Sequence, residues 1–181
     1  QMELANDLGI WITLHMAKQD GCGDKENLKN LEEFTTKKYP KIKWILAHVA
    51  RSFTYRPIEK AIDTLKNLPN IWYDLSAVTD VRPFITLFKN EDHKRIFYGT
   101  DGIESASFHG AYTAYGHFHY QIETDKLESL NFSHTSNRPI ISLYEQLISI
   151  KQASIICEMN GEQIEDVFWR NAVREFNIPW K

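Results

Sequence analysis

Only two cysteines, Cys22 and Cys157, occur in the 181 residues. They lie far apart and outside any CxxC spacing, which excludes a disulfide framework; two reduced thiols in a cytoplasmic protein is the expectation. No apolar run approaches the roughly 18 residues that suggest a membrane span. The N-terminus has no basic stretch followed by an apolar one, so no signal peptide is read. Neither sign of charge dominates, with 21 Lys and Arg against 24 Asp and Glu and a formal net charge of −3. That balance argues against a basic nucleic-acid surface and against an acidic tail. Internal repeats and low-complexity segments are absent as well.

What remains is the composition of a globular protein, 43% hydrophobic and 25% charged, long enough for one domain with a substantial core over residues 1–181. The 13% aromatic content suits a site or interface lined with rings. The first half alternates strand and helix signals. Residues 1–8 read as the end of a helix, with Gly9 as its stop before a strand that runs to His15. A polar loop containing Gly21 and Gly23 follows, then a helix from about Glu26 to Tyr39 that Pro40 ends. A strand runs from Ile42 to His48, Pro57 opens a helix to about Leu68, and Ile71–Leu75 is a third strand. A helix over about Val81–Lys89 leads to the fourth strand, Arg95–Tyr98.

Connections this short imply a parallel sheet with right-handed crossovers. The strand runs are apolar rather than alternating, as expected when both faces are buried. Residues 102–137 are rich in aromatic, His and Ser residues and show no clear period. Two helices are expected beyond them, at about 139–153 and 161–176, separated by Asn160-Gly161. The second carries an apolar stripe of Ile164, Val167, Phe168, Ala172, Val173 and Phe176.

Three chemistry-bearing residues fall at three strand ends: His15, His48 and Asp101. In parallel α/β folds the C-terminal strand ends form one rim, where the chemistry sits. Two imidazoles and a carboxylate on that rim suit a zinc-like ion and an activated water. Each residue alone has a plainer reading, a strand-end histidine satisfied by backbone or a turn aspartate in Gly99-Thr100-Asp101-Gly102. Their repetition at like junctions favours function.

The stretches Leu14-His15, Tyr39-Pro40-Lys41-Ile42-Lys43-Trp44-Ile45-Leu46-Ala47-His48, Leu68-Pro69-Asn70-Ile71-Trp72-Tyr73-Asp74-Leu75-Ser76 and Arg95-Ile96-Phe97-Tyr98-Gly99-Thr100-Asp101, with Asn171-Ala172 in the closing helix, resemble the metal-dependent amidohydrolase superfamily. The similarity is to its aminocarboxymuconate-semialdehyde decarboxylase-like branch. The resemblance implies the C-terminal half of a (β/α)8 barrel, strands five to eight plus C-terminal helices. It implies a divalent metal, zinc before manganese, held by His15, His48 and Asp101, with His48 and Asp101 also moving protons. Arg51 is the candidate for a substrate carboxylate.

The family's first two ligands lie in an H-x-H on strand one, which this chain would lack if it starts after strand four. A longer chain, or a second half as partner, is therefore expected, with a homo-oligomer as another arrangement. The implied activity is hydrolysis of a small organic substrate through a metal-activated water. The alternatives are a metal-dependent decarboxylase on the same scaffold, or a non-catalytic barrel fragment that assembles with a partner half. Neither nucleic acid nor membrane is an expected partner.

Other residues carry milder expectations. Asp74 and Ser76 orient neighbours or line the pocket, with Asp74 a candidate to hold an imidazole. His117-Phe118-His119 is an H-x-H beyond the last strand, where a surface or lid role reads better than ligation. Trp11, Trp44 and Trp72 occupy strands and read as core.

Overall fold

The apolar runs become four short parallel strands in the computed structural model, which describes residues 1–18, 20–102, 111–115, 118–122 and 141–180. The strands are β1 (Trp11–Leu14), β2 (Lys43–Leu46), β3 (Ile71–Asp74) and β4 (Ile96–Phe97), hydrogen-bonded in that order. Register runs Trp11 to Lys43, Trp44 to Ile71 and Tyr73 to Ile96. A parallel sheet whose spatial order equals its chain order is what consecutive units of a (β/α)8 barrel produce. The fold is thus α/β, and it fits part of such a barrel.

Local chemistry sets the helix ends. Helix α1 (Met2–Leu8) stops at Gly9, whose φ of 61° is left-handed and suits glycine there. Helix α2 (Lys25–Leu31) starts at Asp24, whose carboxylate accepts the Glu26 and Asn27 backbone N–H groups. It widens into a π-helical stretch over Glu32–Lys38, just short of Pro40. Helix α3 (Tyr55–Leu65) begins two residues before Pro57, which therefore does not open it as the sequence reading expected. A first-turn N–H has no intrahelical partner, so proline costs nothing there. Helix α4 (Val81–Asn90) is capped by Asp80, which accepts the Arg82 N–H. After the hairpin described below come α5 (Ser142–Ile156) and a final helical run over residues 161–175 with a π-helical middle.

Two faces of the sheet differ. Trp44, Leu46, Ile71, Tyr73 and Ile96 point into a core shared with Ile58, Ala61, Ile62 and Leu65 of α3 and Phe84 and Leu87 of α4. Burying each such aliphatic side chain contributes about 1.5–3 kcal/mol. The opposite face carries rings: Trp11 meets Trp72 edge-on at 4.7 Å and Phe97 at 5.8 Å. Phe176, from the chain's end, leans on Trp11 at 5.0 Å, and Lys43 Nζ lies 4.7 Å from the centre of the Trp11 ring. Of the three strand tryptophans, only Trp44 is core.

Two buried amides tie the last helices to the sheet. Gln146 of α5 donates to the Leu75 and Gly99 carbonyls, joining the segments after β3 and β4. Asn171 donates to the His93 and Ile96 carbonyls at the start of β4. The segment read as having no period contains an antiparallel hairpin, β5 (Ala111–Tyr115) with β6 (Phe118–Ile122), in which Tyr115 pairs with Phe118. Among the described residues, no helix is long and apolar enough to cross a membrane.

Candidate metal centre

His15 follows β1 directly and stands exposed on the rim. His48 lies two residues past β2 and is 5% exposed. The two imidazoles meet edge to face with centroids 5.1 Å apart. Sequence separates them by 33 positions; the pairing of β1 with β2 brings them together.

The chain does not leave β2 as an ordinary strand end. His48, Val49, Ala50 and Arg51 all adopt left-handed backbone, with φ of 57°, 52°, 56° and 58°, and the Ser52 N–H closes this turn on the His48 carbonyl at 2.7 Å. Left-handed backbone costs a non-glycine residue about 1–2 kcal/mol, so four in succession require firm support. Val49 and Ala50 are fully buried, and burial supplies part of that support.

The ring of His48 is held on its Nδ1 side, where the Ser76 carbonyl and the Ser76 hydroxyl each lie 3.0 Å away. A carbonyl oxygen only accepts, so Nδ1 carries the hydrogen and the Nε2 lone pair is left for a proton or a metal ion. Phe53 stacks on the ring at 5.2 Å and fixes its plane. Among the described residues Asp74 holds no imidazole: its carboxylate accepts the Ser76 backbone N–H, one step behind His48. The side chain at position 99 is absent where it would press on that carboxylate, at 3.2 Å from Oδ2.

Arg51 donates through Nη1 to the Met16 carbonyl at 3.0 Å, tying the turn after β2 to the segment after β1. Its Nε is buried and has no hydrogen-bond partner among the described residues. Partial desolvation beside its neighbours holds the His15 imidazole below its ordinary pKa of 6.5, and the charges of His48 and Arg51 push it the same way. Asp101 opposes them, which places its charge within reach of His15. Asp101 lies in a bend four residues beyond β4, exposed and with φ of 64°, rather than at the strand end that the sequence suggested.

Two imidazoles, one with its outer nitrogen already hydrogen-bonded, are the donor chemistry of a zinc-like ion. No group of three or more His, Cys, Asp and Glu side chains is gathered closely enough to hold an ion among the described residues. The two imidazoles are candidates for two ligand positions, and Asp101 does not join them in a group of three. Of the H-x-H at 117–119, His119 lies in β6 opposite Ala114, while His117 and both side chains lie outside the described residues. A cavity of about 430 Å³ opens behind His15, on the helix side of β1, walled by Leu14, Met16, Leu31, Phe34 and Trp44. The sequence reading missed it, because its wall joins residues from α1, β1, α2 and β2.

The profile of a family described as amidohydrolase matches residues 2–178. No curated protein and no solved structure gives a match.

Proposed function

The chain belongs to the amidohydrolase family, and on that premise we propose that its rim serves a metal-dependent hydrolysis of a small organic substrate, with His15 and His48 as metal ligands. The observation that carries the reading is the 5.1 Å edge-to-face pair of these two imidazoles. A bound divalent cation, zinc before manganese, would supply Lewis-acid polarisation of a carbonyl and acidify a water.

The chain's own residues supply the rest. His48 presents Nε2 as base or ligand, because Nδ1 is committed to Ser76. Asp101 is the carboxylate that takes the proton released from water and returns it to the leaving group. Arg51, whose buried Nε has no hydrogen-bond partner among the described residues, is the candidate for a substrate carboxylate. A three-ligand catalytic site needs at least one donor more than the histidine pair. Asp101 or an H-x-H on an N-terminal barrel half would provide it, if the four strands are barrel strands five to eight.

Hydrolysis and decarboxylation call on the same residues, and product analysis with ester, amide and carboxylic-acid panels separates them. The first test is metal content of the purified chain, with and without His15→Ala. Bound metal in the parent and a loss in the variant support the assignment; equal metal in both removes His15 from the ligand set.

A further inference from the structure

The segments that follow β1 and β2 pack on one another beside His15 and His48. After β1 the chain runs through Met16 and Ala17 into a short 3₁₀ turn, Gly21–Gly23. That turn is seated beneath the left-handed turn His48–Arg51, and the contact is backbone against backbone. A Cβ built on Gly21 would lie 2.6 Å from the Arg51 carbonyl oxygen and 2.9 Å from that of Ala50. Neither atom is a flexible side-chain tip, so neither can yield cheaply. Gly21 also has φ of 48°, a backbone that disfavours any side chain.

The surroundings lock this seat. Asn27 donates through Nδ2 to the Ala17 carbonyl at 2.6 Å and the Gly21 carbonyl at 2.9 Å, so one side chain clamps both ends of the loop. The Cys22 thiol and the Ser52 hydroxyl, both fully buried, touch at 3.5 Å. Arg51 closes the loop from above on the Met16 carbonyl, one residue from His15.

We infer that Gly21 is a positioning residue: its lack of a side chain lets the segment after β1 nest under the turn after β2, and this nesting fixes His15 against His48. Its importance for catalysis rests on the functional reading above; the geometry itself does not.

The test is the nuclear Overhauser cross-peak between the ring protons of His15 and His48 in the isotope-labelled, metal-free chain. The cross-peak falls with the sixth power of distance, so a small shift of one loop registers. Gly21→Ala is compared with Gly23→Ala. The second variant strains the same 3₁₀ turn, since a Cβ there meets Pro57 Cα at 2.9 Å, but it presses on α3 and not on the left-handed turn. The expected result is a cross-peak lost or at least halved in Gly21→Ala and kept in Gly23→Ala.

A folded Gly21→Ala with an undiminished cross-peak overturns the inference, as does an equal loss in both variants. Should Gly21→Ala fail to fold, Asn27→Ala is read in the same way, and an unchanged cross-peak there overturns it. Metal content of the parent chain decides the functional reading separately, so the two failures cannot be confused.

Discussion

Nδ1 of His48 lies 3.0 Å from both the carbonyl and the hydroxyl of Ser76, a residue 28 positions further along the chain. The carbonyl alone dictates the tautomer, because it cannot donate. Ser76→Ala, which keeps the carbonyl, should leave His48 in the Nδ1–H form, and the lost hydroxyl contact should cost about 0.5–1.5 kcal/mol. Nitrogen chemical shifts of the neutral imidazole read the tautomer directly. A dominant Nε2–H form in the parent would break the argument that Nε2 is free for a proton or a metal.

His15 gives the rim a pH dependence in the metal-free chain. Its folded-state pKa is lowered, first by partial desolvation and then by the charges of His48 and Arg51. Below its unfolded value, about 6.5, the unfolded chain binds a proton that the folded chain resists. The contribution is therefore complete above that pH and is lost as pH falls through the lowered folded value. Urea midpoints should drop less between pH 7.5 and pH 5 in His15→Gln than in the parent. Equal drops would mean that His15 carries no linkage.

The parts of this rim that were legible in the sequence are those encoded locally. Apolar runs bounded by turn formers marked all four parallel strands, and β1 beside β2 brought His15 to His48. The left-handed turn was not legible. His48-Val49-Ala50-Arg51 contains no glycine, so its backbone is imposed from outside, in part by Gly21 packing on the carbonyls of Ala50 and Arg51. Asp74 orients a neighbour, as expected, but which one was not legible, because its reach to the Ser76 N–H depends on how the chain bends after β3. The hairpin did leave a signal in the sequence, with Tyr112, Thr113 and Tyr115 before Gly116-His117 and Phe118, Tyr120 and Ile122 after it. Strand-favouring residues on both sides of a two-residue link mark a hairpin, but the aromatic richness of the whole segment hid the period.

The two thiols should differ sharply in reactivity. Cys22 is fully buried, and burial pushes its pKa up to about 12. At pH 8 it has almost no thiolate, the form that reacts. Cys157 is half-buried, its pKa raised by burial to a lesser degree. Titration with a thiol-specific disulfide reagent should modify Cys157 in the folded chain and Cys22 only after unfolding. Rapid labelling of both under native conditions would contradict the buried placement of the Gly21–Gly23 turn, and with it the seat under His48.

Asn171 offers the clearest stability test, because one buried side chain reaches two backbone carbonyls at the entry of β4. It is fully buried, and its Nδ2 donates to the His93 carbonyl at 2.7 Å and the Ile96 carbonyl at 2.8 Å, while its Oδ1 accepts from Arg174. One amide thus pins the final helical run to the entry of β4, the strand that leads to Asp101. Asn171→Ala removes one donor from the Ile96 carbonyl and another from the His93 carbonyl, which keeps the Ile96 backbone N–H, and should cost about 1–3 kcal/mol in urea unfolding. Asn171→Asp keeps the shape but replaces the donor with a carboxylate facing two carbonyl oxygens, so it should cost more than alanine at pH 7. The excess should shrink at low pH, where the protonated acid regains one donor. If both variants unfold within about 0.5 kcal/mol of the parent, as ordinary surface changes do, the amide does not hold the helix to the sheet.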